Sequence, residues 1–340
     1  MRSKLNDKNR TISTDSRPPL AEIMAILNDS RKVLVASHID PDGDALGTQL
    51  AVAEFVRSLG KDVSLVRDND IPHKYRFLNG VNDIPPVDHY RGNELFDTAV
   101  ILECPSVTRI GRASRFLNDT KIINIDHHLD NSEFGDVNWL NVKASSVGEM
   151  VYELFQLAGL TIAPPVAEQL YTAVMTDTGR FRYRSTSPRT MEIAGKLIEA
   201  GADPQKICDE VYYNVLPSTM KLIGKVLNGI EFHHHGRICL LTLTQDMLRA
   251  AEAHESESDG LVDYTLFNCG VIAGALLKEI GANTTRVSFR SKDGIDVSAI
   301  ASRYGGGGHF NASGCTMHMS VEDTRLELIK LLSEAIDDLG

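Results

Sequence analysis

The chain has 340 residues, a formal net charge of −11 at pH 7 and an apolar fraction of 42%. Two domains are expected at this length. The sequence contains no apolar run of about 18 residues, which argues against a membrane span. The negative charge argues against binding of duplex DNA, because an extended duplex-binding surface needs a basic face. Five scattered cysteines without a CxxC pair predict free thiols in a reducing cytoplasm.

The N-terminal residues 1–19 are polar and charged, and no apolar segment follows them. They are predicted to form a disordered leader rather than a secretory signal. Apolar runs then alternate with a helical pattern, as in a parallel α/β sheet. The predicted strands are 33–37, 63–66, 98–102 and 121–125, with a helix over 44–59. Further helices are predicted over 146–157, 166–175, 189–199 and 205–214.

A second, smaller α/β domain is predicted to begin near residue 229. Its pattern predicts a hairpin over 232–243 with the three histidines 233–235 in the turn, then strands over 271–278 and 284–289. A short helix over 296–304 leads into four glycines, and an amphipathic helix over 321–339 ends the chain. The predicted domain ranges are 20–215 and 229–340, joined by a linker helix over 216–228.

Acidic and imidazole side chains follow three of the predicted strands. The carboxyl ends of parallel strands meet at one edge of a sheet, where α/β proteins bind their ligands. Carboxylates and imidazoles suit Mn²⁺, Mg²⁺, Co²⁺ or Zn²⁺. There are enough ligands for two ions, an arrangement that hydrolyses phosphate esters. The side chains concerned are His38, Asp40, Asp42, Asp44, Glu103, Asp126, His127 and His128, with Asp177 near a helix end.

The run Gly305–Gly308 before His309 predicts a binding loop, since glycines let the backbone approach a ligand and expose N–H groups to an anion. Taken together, the blocks His38-x-Asp-Pro-Asp-Gly-Asp-Ala-Leu-Gly, Asp126-His127-His128 and Gly305-Gly-Gly-Gly-His309 resemble the DHH phosphoesterase family with a DHH-associated C-terminal domain. Within that family, the stand-alone bacterial oligoribonucleases (nanoRNases) and pAp phosphatases are the most similar group. The resemblance covers roughly residues 20–335.

The resemblance implies a role for each matching residue. His38 and Asp42 would hold one metal ion, and Asp44, His127 and Asp177 the other, with Glu103 bridging both. His128 would lie beside the scissile phosphate as a hydrogen-bond donor or acid, Asp126 would be a catalytic residue, and Asp40 would orient a ligand. The substrate would be bound by Arg109, Arg290, Ser291, Gly306, Gly307, Gly308 and His309. Glu103 is a departure, because the family usually has Asp at this position.

The expected activity is hydrolysis of short oligoribonucleotides to mononucleotides and of 3′-phosphoadenosine 5′-phosphate (pAp) to AMP. The expected cofactors are two divalent ions, Mn²⁺ before Mg²⁺ or Co²⁺. Three alternatives stay open: a phosphodiesterase for cyclic di-adenylate or its linear product, an inorganic pyrophosphatase, and a non-catalytic nucleotide sensor in which Glu103 is the disabling change. The family also leaves a homodimer open.

Overall fold

The computed structural model describes residues 19–90, 94–292 and 294–339. The predicted leader therefore lies outside the described residues, apart from its last position. The chain folds into two compact units, of which the first ends at Val211 and the second begins at Tyr212. Within the described ranges, no helix has the length and apolar character needed to cross a membrane.

A five-stranded parallel sheet lies at the centre of the first unit, with the strand order β2-β1-β3-β4-β5. β3 is buried along its whole length and β1 along all but its first residue, as is typical of parallel strands covered on both faces. Because β1, β3 and β4 are neighbours, their carboxyl ends share one edge. The strands are β1 (Lys32–Ala36), β2 (Asp62–Leu65), β3 (Thr98–Leu102), β4 (Lys121–Asp126) and β5 (Val137–Leu140).

Six α-helices accompany this sheet in the described part of the first unit. They are α1 (Leu20–Asp29), α2 (Gly43–Ser58), α3 (Val147–Leu157), α4 (Pro164–Asp177), α5 (Pro188–Glu199) and α6 (Pro204–Cys208). α2 begins where the side chain of Asp42 accepts a hydrogen bond from the backbone N–H of Ala45. The first turn of α2 lies tightly against the end of α4, since a Cβ atom on Gly43 would be 2.4 Å from Oγ1 of Thr176. This packing brings Asp44 next to Asp177, the last residue of α4.

The second unit is built on a six-stranded sheet with the order β10-β11-β9-β8-β7-β6, antiparallel except for the β7–β8 pair. Its core lies between this sheet and the C-terminal helix, where Phe289 and Leu277 share a buried cluster with Leu328 and Leu332. The strands are β6 (Glu231–His233), β7 (Ile238–Leu243), β8 (Ala273–Gly281), β9 (Thr284–Ser291), β10 (Gly307–His309) and β11 (Ala312–Met317). The helices are α7 (Pro217–Leu227), α8 (Gln245–Ala251), α9 (Val297–Ser302) and α10 (Val321–Asp337).

The predicted α/β class, with one parallel sheet and a second sheet after it, is confirmed. The helix predicted over 205–214 is present within one residue at each end, but only α6 is α-helical, and the segment that continues it, Asp209–Tyr213, is π-helical. The glycine run is not simply a loop, since its second half forms β10. A Cβ atom on Gly306 would lie 2.1 Å from the carbonyl oxygen of Gly314, so the close approach of the two chain segments here requires glycine.

Candidate active site

The carboxyl edge of the parallel sheet gathers most of the predicted acidic and imidazole residues. Glu103 directly follows β3, Asp126 ends β4, and His127 and His128 come next. From the helices, Asp44 comes from the first turn of α2 and Asp177 from the end of α4. One ligand atom each from Asp44, Glu103, His127 and Asp177 lies within 4.8 Å of the others. We call these four residues the acidic cluster.

The imidazole of His127 lies at the centre of the acidic cluster. Its Nε2 atom is 2.9 Å from Oε1 of Glu103 and 3.5 Å from Oδ2 of Asp177. Its Nδ1 atom is 3.1 Å from the carbonyl oxygen of Ala144, which places the proton on Nδ1. Nε2 therefore faces the carboxylates, in the orientation that a metal-binding histidine adopts.

The carboxylate of Asp44 is fixed by the beginning of α3. Its two oxygens accept hydrogen bonds from the backbone N–H groups of Val147 and Gly148, at 2.7 and 2.9 Å. Asp44 is fully buried, and unpaired N–H groups at a helix N-terminus are a natural partner for a carboxylate. The side chain is thus held rigidly at the sheet edge.

Glu103 has an unusual backbone conformation at the end of β3. Its φ angle is +58°, a left-handed conformation that costs a non-glycine residue free energy and is concentrated at functional sites. The residue is 3% exposed. Within the described residues its buried Oε2 atom makes no well-formed hydrogen bond, and Nδ1 of His128 lies 3.4 Å away. A buried carboxylate oxygen with such weak partners fits a position that a cation would occupy.

The pKa values of the acidic cluster reflect its crowded charge. Burial, with the charges of Glu103 and Asp177, raises the pKa of Asp44 well above its usual value. Burial likewise raises the pKa of Asp177, to about 7. Burial also acts to raise the pKa of Glu103, but His127 and His128 outweigh it and hold that pKa well below its usual value. With three carboxyl groups around one imidazole, the cluster retains protons that a divalent cation would displace on binding.

His38 and Asp42 form a second pair on the loop after β1. Nε2 of His38 is 3.8 Å from Oδ1 of Asp42, and the charge of Asp42 contributes to the raised pKa of Asp177. The pair therefore lies near the acidic cluster. His38 directs its Nδ1 atom to the carbonyl oxygen of Ile39 at 2.7 Å, which leaves Nε2 on the side of Asp42.

His128 is held by Asp126. Its Nδ1 atom is 2.8 Å from Oδ1 of Asp126 and 3.4 Å from Oε2 of Glu103. Burial opposes protonation of this imidazole, but the charges of Glu103 and Asp126 and the hydrogen bond to Asp126 raise its pKa to about 9. His128 can therefore donate a proton or a hydrogen bond at neutral pH.

Two predicted residues at this edge are exposed, Asp40 on the loop after β1 and Arg109 in the 3₁₀-helical segment Val107–Leu117. Asp40 is exposed, its φ angle is +54°, and its backbone N–H donates to Oδ1 of Asn69 at 3.0 Å. Arg109 is exposed, and its carbonyl oxygen accepts from the N–H of Ile39 at 2.8 Å. The backbone of Arg109 thus supports the loop that carries His38.

The remaining predicted substrate-binding residues belong to the second unit. Arg290 donates through Nε to Asp263 at 2.8 Å, and the buried Ser291 hydroxyl donates to the carbonyl oxygen of Ile295 at 2.6 Å. Gly306 lies just before β10, and His309 ends β10 as an exposed residue. Three of the predicted substrate-binding residues form β10 and pair with β11, namely Gly307, Gly308 and His309.

Sequence reasoning missed the residues that orient the site. Asn131 donates to Asp126, Ala144 accepts from His127, and the first N–H groups of α3 bind Asp44. The only local signal was the position of Asn131 three residues after His128. The other contacts arise from tertiary packing.

Comparisons with known proteins agree with this geometry. Residues 32–176 match the DHH family, N-terminal domain, and residues 239–338 match the DHHA1 domain. The bifunctional oligoribonuclease and PAP phosphatase NrnA of Thermus thermophilus is 29% identical over 290 residues, which cover 84% of each chain. NrnA of Bacillus subtilis is 28% identical over 299 residues, 86% of this chain and 92% of the relative.

Among solved structures, an exopolyphosphatase-related protein from Bacteroides fragilis matches with a TM-score of 0.83 at 27% identity. The match covers 94% of this chain and 95% of that one. The two matched domains occur in the order that the sequence motifs predicted, and the acidic and imidazole residues of those motifs meet at one sheet edge. The chain therefore belongs to the DHH family of phosphoesterases, with a DHH domain followed by a DHHA1 domain.

Proposed function

We propose that this protein hydrolyses pAp to AMP and short oligoribonucleotides to mononucleotides, with two divalent cations, preferably Mn²⁺, bound at the sheet edge. The observation that carries the proposal is the acidic cluster, in which four ligand atoms from separate elements lie within 4.8 Å of one another. Buried carboxylates next to an imidazole whose Nε2 atom is turned toward them are ligands that suit the divalent cations of a phosphoesterase.

The proposed ligands divide between two ions. Asp44, His127 and Asp177 would hold one ion, and His38 and Asp42 the other, with the two oxygens of Glu103 available to both. Bound at these positions, the ions would activate water and neutralise charge on the phosphate. The described residues offer nitrogen and oxygen ligands here, which suit Mn²⁺, Mg²⁺ or Co²⁺.

The chain's own residues would orient the phosphate. His128, with Nδ1 bound to Asp126, would present its other ring nitrogen to the phosphate or to the leaving oxygen. Despite burial, the charges of Glu103 and Asp126 and the hydrogen bond to Asp126 raise the pKa of His128, which favours a proton on this donor. Arg109 bears donors for an anion and would bind a phosphate group away from the bond that is cut; Arg290 and His309 of the second unit stay predicted anion-binding residues.

The substrate class rests on the relatives and on charge. Curated relatives at 28–29% identity are bifunctional oligoribonucleases and PAP phosphatases. The net charge of −11 favours short nucleotides over long nucleic acid, because a long backbone needs many cationic contacts. No described feature favours a cyclic dinucleotide, so that alternative serves as a comparison substrate.

The test is a turnover panel with pAp, RNA dimers to pentamers, cyclic di-adenylate and pyrophosphate, each with Mn²⁺, Mg²⁺ and Co²⁺. We expect hydrolysis of pAp and short RNA that chelators abolish. His127→Ala should lower it by about 100-fold or more. His234→Ala is the matched control, since Nε2 of His234 binds Asp337 in the second unit, and it should retain normal turnover. A wild-type protein as inert as His127→Ala on every substrate would contradict the proposal and favour a nucleotide sensor.

A further inference from the structure

We propose that Asn131 is a positioning residue that fixes the carboxylate of Asp126 and, through it, the imidazole of His128. The inference rests on the proposed function, because His128 is the group that would meet the phosphate. Asn131 acts on the substrate only through these two side chains. It lies in the loop between β4 and β5 and is half-buried.

The side-chain amide of Asn131 meets three acceptors. Its Nδ2 atom is 2.5 Å from Oδ2 of Asp126, 2.9 Å from Oδ1 of Asn124 and 3.2 Å from the carbonyl oxygen of Cys104. The amide therefore links the loop to the C-terminal end of β4 and to Cys104, the residue that follows Glu103. One side chain joins both strand ends that carry the site.

The orientation of the Asn131 amide is determined by the partner of its oxygen atom. Oδ1 of Asn131 accepts the backbone N–H of Glu133 at 2.7 Å, so the nitrogen must face Asp126. Asn124 is oriented in the same way, because its Nδ2 atom donates to the carbonyl oxygens of Ile101 and Cys104 at 3.3 and 3.2 Å. Its Oδ1 atom is therefore an acceptor for Asn131, and the network is consistent throughout.

The two oxygens of Asp126 have different partners. Oδ1 accepts from the backbone N–H of His127 at 2.9 Å and lies 2.8 Å from Nδ1 of His128. Oδ2 accepts from Asn131. Because Asp126 is fully buried, loss of the Asn131 donor would leave Oδ2 to find another partner by rotation of the carboxylate. That rotation would move Oδ1 away from His128 and release the imidazole.

A residue of β5 that binds the same loop provides a matched control. The Oδ1 atom of Asn138 accepts from Gly135 and its Nδ2 atom donates to the carbonyl oxygen of Gly135, each at 2.9 Å. Its Nδ2 atom also donates to the carbonyl oxygen of Glu133 at 3.4 Å, but the Glu133 N–H that Asn131 accepts is not part of that contact. Asn138→Ala thus perturbs the loop without removing a contact of Asn131 or Asp126, and Ser132, whose N–H donates to the carbonyl oxygen of Pro105 at 2.8 Å, holds the loop in both variants.

The kinetic test compares Asn131→Ala, Asn131→Asp and Asn138→Ala with the wild type, on pAp with saturating Mn²⁺. Asn131→Ala should lower kcat by about 10–100-fold, the usual effect of losing a residue that orients a functional group, with KM and Mn²⁺ affinity changed less than about twofold. Asn131→Asp keeps the shape of the side chain but turns an acceptor toward Asp126. Its loss of kcat should therefore be at least as large as that of Asn131→Ala. Asn138→Ala should retain normal kcat.

A double-mutant cycle asks whether Asn131 acts through His128. His128→Ala combined with Asn131→Ala should be no slower than His128→Ala alone. The proposal would be overturned if the losses of kcat in the two single variants multiplied in the double variant. It would also be overturned if Asn138→Ala lost as much kcat as Asn131→Ala.

A second readout does not depend on turnover. It is the NMR signal of the hydrogen-bonded Nδ1 proton of His128, recorded on protein with labelled histidine and assigned by its loss in His128→Ala. This signal should persist in Asn138→Ala and should disappear or shift strongly in Asn131→Ala. If it is unchanged in Asn131→Ala, the positioning role is refuted even in an active enzyme. If it is lost while the wild type hydrolyses none of the substrates, the positioning stands and the proposed function fails.

Discussion

At the scale of single residues, Glu103 distinguishes this chain from the pattern it resembles. The side chain contacts both imidazoles of the Asp126-His127-His128 block from a backbone with a φ angle of +58°. Asp adopts this left-handed conformation more readily than Glu, although its carboxylate has a shorter reach. We therefore expect a carboxylate of either length to function at this position.

We expect Glu103→Asp to keep turnover of pAp within about tenfold of the wild type, or to raise it. Glu103→Gln has nearly the same shape without the charge and should lose about 100-fold or more, because a neutral amide is a poor ligand for a cation. Steady-state kinetics with saturating Mn²⁺ measures both. A collapse of turnover in Glu103→Asp, with a free energy of unfolding like that of the wild type, would mean that the pocket requires the longer side chain.

The protons held by the acidic cluster predict the pH dependence of metal binding. The pKa of Asp177 is raised to about 7 and that of Asp44 is raised well above its usual value. Acids with raised pKa values are protonated at lower pH, and a cation must displace those protons. The affinity for Mn²⁺ should thus fall as the pH drops from 8 to 6, with proton release on binding.

Calorimetry at pH 6, 7 and 8, in pairs of buffers with different ionisation enthalpies, measures both the affinity and the number of protons released. Asp136→Asn is a suitable control, since Asp136 only accepts a backbone hydrogen bond from Ile122 at the other end of β4. An affinity independent of pH, without proton release, would contradict the pKa shifts.

At the scale of secondary-structure elements, the segment after β3 supports the loop after β1. Gly111 has a φ angle of +66° and a ψ angle of −141°, a combination essentially restricted to glycine. A Cβ atom there would lie 2.2 Å from Oδ2 of Asp68 and 2.3 Å from Cγ2 of Ile39. Asp68 also accepts the backbone N–H of Arg112 at 2.7 Å, which locks the segment in place. The loop that carries His38 therefore depends on Gly111.

Gly111→Ala should lower the free energy of unfolding by about 2–5 kcal/mol, through backbone strain and steric overlap together, and should weaken Mn²⁺ binding. Gly60→Ala is the matched control: the φ angle of Gly60 is +75°, but no atom lies within 4 Å of the added Cβ. It should cost only about 1–2 kcal/mol and leave Mn²⁺ affinity unchanged. Urea unfolding and metal titration measure the difference, and equal effects in the two variants would exclude a special role for Gly111.

Elements with a strong local sequence pattern were predictable. Elements that form only because a neighbouring strand pairs with them were not. β3 is a continuous apolar run and was predicted with its bounds, whereas β5 and β10 are three or four residues long and contain Asn138 or glycine. Such segments become strands only because β4 and β11 lie beside them. Likewise, the residues of the acidic cluster could be predicted from their positions at strand and helix ends, but the orientation of their side chains could not. Asp44 is held by Val147, 103 positions away.

At the scale of the whole molecule, the order of the two units was predictable from motifs, because each domain carries its own local signature. The ranges predicted for the two domains and the linker stay predictions. The helix predicted as the linker is α7, and it lies within the second unit. The sequence could not assign α7 to the second unit, because that assignment depends on what its hydrophobic face packs against. Its packing partners include Leu241 in β7 and Leu276 in β8.

The most direct test of the whole account is anomalous diffraction from crystals of the full chain grown with Mn²⁺. We predict two peaks about 3.5–4 Å apart, both within bonding distance of Glu103, one beside Asp44, His127 and Asp177 and the other beside His38 and Asp42. Crystals without a peak at the acidic cluster, at a Mn²⁺ concentration that supports turnover, would contradict the account.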